Sequence, residues 1–319
     1  MSNIGIIPKI FRNERVLKGL EKVSKHPTSF SAGISLGMAG IVRPAVISIT
    51  PDTEKENKQY AITNSISSAI VKFLMVETVA LPIEHAIKRI DDNPQKYLKT
   101  PNFKGYKFIT QFYKLLPGLF MAIPKSMLTV AIIPILMDKI FHIKPPPKNE
   151  QLQKNEFNTK SGGNFKGGGL SDLIAKTLNN KKIQEFAANN ADKAENIAKH
   201  TTAATDILLT GTTAYKIHTN DNIKENRKNA LILNNVISTV ITLVFGYGID
   251  KIVRNKTKDF VEKFKELNKE KPPERIAKCV EGINILRPAM IFAFVYYGIL
   301  PLFSTYVSDK LTKREKLNP

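Results

Sequence analysis

The chain has 319 residues, 42% of them hydrophobic, with 48 Lys and Arg against 28 Asp and Glu for a net charge of +20. Such an excess favours an acidic partner, either nucleic acid or an anionic membrane face. Cys279 is the one cysteine, which excludes an intrachain disulfide and a thiolate metal cluster. The mean hydropathy of -0.17 conceals the arrangement, because apolar residues collect in a few long runs and lysines in the stretches between them.

In chain order, residues 9–25 read as an amphipathic helix. Ile10, Leu17 and Leu20 fall towards one face, with Lys9, Arg12, Arg15, Lys18, Lys22 and Lys25 around it. No small-residue cleavage site follows, so the segment is expected to be retained. A helix needs roughly 20 mostly apolar residues to cross a bilayer. Residues 30–49 have that length, interrupted by Arg43 and Pro44. Residues 115–137 carry one charge, Lys125, while 230–249 and 288–307 carry none.

Two segments are weaker. Residues 64–83 contain Lys72 and Glu77. A central charge costs about 2.5–3.5 kcal/mol, whereas a large aliphatic residue returns roughly 0.3–0.6. This helix therefore needs polar partners inside a bundle. Residues 203–217 are short and contain Asp206. Between the halves, residues 144–169 read as a linker, stiff at KPPP and flexible at SGGNFKGGG, and helical spacing resumes from Leu170 to Lys199. The chain thus divides into 1–143, 144–169 and 170–319. KENKQYA (55–61) is similar to KENRKNA (224–230), and IVRPAVI (41–47) to ILRPAMI (285–291). The two similarities have different offsets, so internal duplication stays open.

The most regular motif is an acid followed four residues later by a base where an apolar run ends. It occurs as Glu84/Lys88, Asp138/His142, Asp250/Arg254 and Asp309/Lys313. That spacing puts both side chains on one helix face, with the base towards the negative end of the dipole. Helix-end ion pairs are the expected role, and an inter-helix gate the sharper alternative. LPIEHAIKRI (81–90) resembles the Pro-x-acid-x-x-base signature of mitochondrial solute carriers. Lys88 falls one position late, the other three pairs lack the proline and the chain has no three-fold repeat, so that family's function is not carried over. KGYKFITQ (104–111) resembles the octamer of RNA-recognition motifs but departs at Lys107 and Gln111. No alternation of strands and helices surrounds it. The aromatics and lysines of 96–114 are expected instead as an interfacial belt, and nucleic acid is not an expected partner.

Arg43, Glu77, Lys125 and Arg287 lie within or beside apolar runs and are the candidate binding residues, since an intramembrane charge is a functional candidate by default. The histidines at 26, 85, 142, 200 and 218 have no ligand spacing, and no metal, cofactor or catalytic set is expected. Taken together, the pattern predicts an all-α, multi-pass integral membrane protein. Five transmembrane helices are expected, six if 203–217 crosses. Positive-inside counting then places the N-terminus and the loops 84–114 and 250–286 in the cytoplasm, with 138–229 outside. The expected role is a non-enzymatic, membrane-anchored structural or interaction protein. Its basic faces would hold anionic lipid, an acidic protein partner or a second copy. The alternative is a carrier of small solutes or ions along a path lined by the four charges. Three apolar runs of spanning length predict that the protein stays in the membrane pellet through carbonate and high-salt washes. Release into the supernatant would contradict integral insertion.

Overall fold

The structure, a computed structural model, describes residues 10–49, 55–124, 169–219 and 225–303, and those residues are helical with no strand among them. Helix α1 spans Glu14–Lys25. The Asn13 side chain caps it by accepting from the Arg15 N–H at 2.8 Å, with Glu14 in the first turn and Lys22 and Lys25 in the last. His26 ends α1, and Pro27 opens α2 at a position where its missing N–H costs nothing.

Helix α2 covers Pro27–Ile49 and runs straight through the Arg43-Pro44 interruption. It does so by widening into a π-helical turn over Met38–Val42, directly before the proline that cannot donate. Helix α3, Lys55–Asp92, contains Pro82 without a break. Helix α4 is Tyr106–Phe120, and Gly105 before it has φ 86, the left-handed region that suits glycine. Then come α5 (Gly169–Leu178), α6 (Lys181–Asn189), a 3-10 turn at Ala191–Asn196 and α7 (Ile197–His218). Helix α8 is Glu225–Leu267. Helix α9 is Pro273–Phe303, with Pro288 inside it and a second π-helical turn at Val295–Ile299.

Four helices are long and apolar enough to cross a membrane: α2, Ser65–Asp92 of α3, Asn235–Leu267 of α8, and α9. The segment around Lys72 and Glu77 is among them despite its charges. The run 115–137 is described only as far as Pro124, and the linker lies outside the described residues up to Gly169. The side chains of these helices are distributed the opposite way from those of a water-soluble bundle. Ile41, Ile70, Leu74, Val240, Val244 and Phe294 face outward, while Ser35, Thr63, Ser65, Ser67 and Thr242 are buried. Water would reverse that arrangement, and lipid favours it.

Successive contacts fix two antiparallel hairpins. In the first, Lys58 donates to the Ser48 carbonyl, Lys72 to Ser35 Oγ, and Thr28 N–H to Glu84. In the second, Thr210 meets Thr239, His200 meets Tyr247, and Lys199 meets Asp250. Helix α4 completes the first set by packing on α3 and α9 the second by packing on α8, and each third helix also packs on the other set's first, α4 on α7 and α9 on α2.

The ends where α3 and α8 carry their buried acids gather into a head. Its core joins Ile87, Ile90, Phe108, Ile109 and Leu115 to Ile174, Leu178, Ile197, Ala198 and Ile285. This corrects one expectation. Residues 170–198 were expected across the membrane from 84–114, yet the two stretches share one hydrophobic core and lie at the same end. The three basic segments 10–27, 84–114 and 250–286 also lie together at that end.

Helix α1 is locked onto α9. Glu14 bridges Lys271 at 2.5 Å and Arg275 at 2.7 Å, and Arg275 also meets Glu21 at 2.5 Å. Hydrogen bonds from Arg275 first, then Lys271, hold the Glu14 carboxyl down at about 2, against an ordinary 4.5. Cys279 is fully buried and faces the Leu17 carbonyl at 3.6 Å, so it is a packing residue. Gly282 lets the helices meet, because a Cβ there would overlap the Leu20 carbonyl oxygen. Gly282→Val should cost about 1–3 kcal/mol by overpacking and release α1, read as new proteolytic cleavage within residues 14–25 in detergent. Acid should loosen wild type in the same way. A depressed carboxyl contributes above its unfolded value and loses that contribution as pH falls through its folded one, here between about 4.5 and about 2. Unchanged protection in the variant and at low pH would contradict this docking.

Candidate functional site

Three polar clusters occupy the bundle, and each is built from helix ends or helix faces already placed. The first surrounds Glu84, which has no solvent exposure. Its carboxylate accepts from the Thr28 N–H at 3.0 Å, from Ser29 Oγ at 2.9 Å and lies 3.1 Å from His26 Nδ1. It therefore caps the start of α2 from another helix, where the dipole and unpaired N–H groups favour an anion.

The second surrounds Asp250, also without exposure. Lys199 Nζ lies 2.7 Å from one oxygen and Arg287 Nε 2.8 Å from the other. Lys199 comes from the first turn of α7 and Arg287 from the middle of α9, so one carboxylate joins three helices. Lys199 Nζ also sits 5.2 Å from the Tyr247 ring centre, and the Tyr247 hydroxyl meets His200 at 2.9 Å. Arg287 Nη2 is buried without a hydrogen-bond partner among the described residues. The cluster holds two cations and one anion.

The third lies nearer the middle of the helices, at the level of the two π turns. Those turns pack on each other, and Ala39, Ala69 and Ala293 bring the backbones close. Lys72 Nζ donates to Ser35 Oγ at 2.8 Å, the polar partner that its depth demands. Asp206 of α7 is near enough to act electrostatically on Lys72. Tyr297 is buried in this layer with Ala39, Ala69 and Ala293, near enough to Ser35 to interact with it, and the Arg43 guanidinium stands 5.5 Å from the Tyr296 ring centre. Arg43 Nε is buried without a hydrogen-bond partner among the described residues.

The residues singled out from sequence are redistributed by these contacts. Glu84 and Asp250 do not pair with Lys88 and Arg254. Both acids turn inward, to α2 in one case and to Lys199 and Arg287 in the other, because a buried carboxylate takes the strongest donors within the bundle. The expected helix-end pairs are in this respect corrected. Asp138, His142, Asp309, Lys313 and Lys125 lie outside the described residues. Arg43 and Arg287 are not neighbours: one belongs to the middle layer, the other to the head-side cluster. Glu77 has a buried Oε1 without a hydrogen-bond partner among the described residues. Sequence reading missed Lys199, His26, Ser35 and Tyr297. Only Lys199 had a usable signal, as a lysine opening a helix otherwise rich in Thr and Ala. No three His, Cys, Asp or Glu side chains among the described residues converge to hold a metal.

With four apolar, outward-facing helices around buried polar clusters, the chain belongs to the class of multi-pass helical membrane proteins. It matches no family model, no curated protein and no solved structure.

Removing one member of a buried ion pair strands the others, typically at a cost of about 3–5 kcal/mol. Asp250→Asn should therefore lower the unfolding temperature in detergent far more than Asp259→Asn on the exposed face of the same helix. Adding Lys199→Met to Asp250→Asn returns the cluster to its wild-type net charge and should recover part of the loss. Equal stability of Asp250→Asn and wild type would show that the cluster is not closed to solvent.

Proposed function

We propose that the protein is a non-enzymatic carrier of small anions, built from two related three-helix units around a polar middle layer. The observation that carries this reading is the convergence of Lys72, Ser35, Asp206, Tyr297 and Arg43 at a depth where the outer surface is apolar. Polar groups at membrane depth mark solute paths, and π turns and prolines supply the irregular backbone that such paths use. Among the described residues Lys72 and Arg43 share this level with Asp206, an excess of positive charge that suits an anion.

Two related units are supported by their parallel construction. Each begins with a helix entered from an amphipathic or short helix and continues in a long helix beginning with a KEN sequence. Each closes with a proline-containing helix, LLPGLFMA (115–122) or LRPAMIFA (286–293). Each long helix carries a buried acid, Glu84 or Asp250, that reaches the start of its hairpin partner. On this reading α7 crosses the membrane too, α4 enters it from the head, and the similarity between 41–47 and 285–291 is incidental.

A second reading is a membrane-held interaction protein. The exposed lysines of α8 beyond the buried acid, among them Lys251, Lys256 and Lys258, favour it as a face for anionic lipid or an acidic partner. Flux separates the two. Purified protein in liposomes should take up at least one of chloride, phosphate or succinate above protein-free vesicles, and Lys72→Met should reduce that uptake more than tenfold while keeping its elution profile. Absence of uptake for all three anions, with Lys72→Met as stable as wild type, would count against a solute path and favour the interaction reading.

A further inference from the structure

The head contains a cavity of about 400 Å³ between the end of α1, the end of α3, the start of α4 and the first turns of α9. It is separate from the middle layer. Its deepest cation is Lys114, 5% exposed, whose position is set by a hydrogen bond from Thr28 Oγ1 to its own carbonyl at 2.5 Å. Among the described residues the carboxylate facing its ammonium is Asp91, whose Oδ2 lies at 3.6 Å, too far for a hydrogen bond. The other oxygen of Asp91, Oδ1, accepts the Tyr106 hydroxyl at 2.6 Å. The Lys114 ammonium opens onto the cavity with three donors, and no hydrogen bond to a described residue takes any of them.

Lys25, Lys88 and Lys278 also line this cavity, and none of them forms an ion pair with a described carboxylate. The wall's acids are otherwise placed. Asp91 is held by Tyr106, Glu281 faces Lys107 at 3.8 Å, and Asp92 and Glu274 are exposed at the mouth. A ligand completing this site must bring several acceptor oxygens and negative charge. A phosphate monoester does so, with about −1.5 to −2 charge and three strong acceptors. A single carboxylate supplies less of both.

We propose that this cavity is a phosphate-binding site, with Lys114 at its floor and Lys25, Lys88 and Lys278 around the entering group. The phosphate belongs either to a small soluble ester or to the headgroup of a phospholipid, since the cavity lies at the head end of apolar helices. The site stands whether or not the middle layer carries anions.

The full-length protein in nanodiscs provides the test, with glycerol 3-phosphate as the soluble probe and phosphatidate as the lipid probe. In phosphatidylcholine discs, glycerol 3-phosphate titrated by calorimetry against matched ionic strength of chloride should bind saturably if the source is soluble. If the source is lipid, phosphatidate should instead be retained by the protein through detergent washing and be detected by mass spectrometry. In either arm Lys114→Gln should weaken binding at least tenfold and Lys278→Gln, at a partly exposed position that tolerates change, severalfold. Lys18→Gln on the outer face of α1 should leave it unchanged. Binding of neither probe would overturn the proposal. So would equal binding by wild type and Lys278→Gln together with equal binding by a folded Lys114→Gln.

Discussion

A charge held away from water must find its counter-charge within reach, and that requirement governs how these helices meet. Asp250 sits on the inner face of α8 with no solvent contact, between Lys199 of α7 and Arg287 of α9. Sliding α7 by one turn would carry Lys199 about 5.4 Å along the axis, strand its buried ammonium and leave Asp250 with Arg287 alone. Burial of an ion pair is a weak source of net stability but a strong penalty on every wrong register. Glu84 acts in the same way on the other hairpin, through the free N–H and hydroxyl groups at the start of α2 rather than through a cation.

With depth and register fixed at the head, the remaining length of each helix is free to obey the lipid. Its outer face is apolar and its inner face small or hydroxylated. Several of these hydroxyls bond to carbonyls of their own helix, as Ser67 does to Thr63 and Thr242 to Ser238, and those need no water. Small side chains at Ala39, Ala69 and Ala293 allow the close packing that substitutes for a hydrophobic drive between helices in lipid. The middle layer is then the one place at that depth where cations are held among the described helices, which is why a solute path is read there and not at the fully occupied acids of the head.

Much of this organisation was legible in the chain. Apolar runs of spanning length gave the helical membrane class, and the lysine-rich stretches correctly fell together at one end. The charges within 64–83 announced that α3 needed partners, and Ser35 is one. What stayed hidden was partner choice. Acid and base four residues apart suggested pairing within a helix, but an i to i+4 pair on a helix surface contributes only about 0.3–0.5 kcal/mol. A buried carboxylate finds better donors on its neighbours, and a single sequence does not say which neighbours those are. The same gap concealed the head-side location of 170–198. Positive-inside counting weighs charges but not the apolar face formed by Ile174, Leu178 and Ile197, which binds that stretch to α3 and α4.

The central physical claim is that lipid surrounds the apolar outer faces while the polar faces meet inside. Spin labels placed one at a time along α8 test it directly. At Val240 and Val244, both exposed, collisions with dissolved oxygen should exceed those with a water-soluble nickel complex in liposomes. At Thr242, which is buried, both should be low. A higher nickel than oxygen collision rate at Val240 and Val244 would place that face in water and contradict the membrane-spanning arrangement.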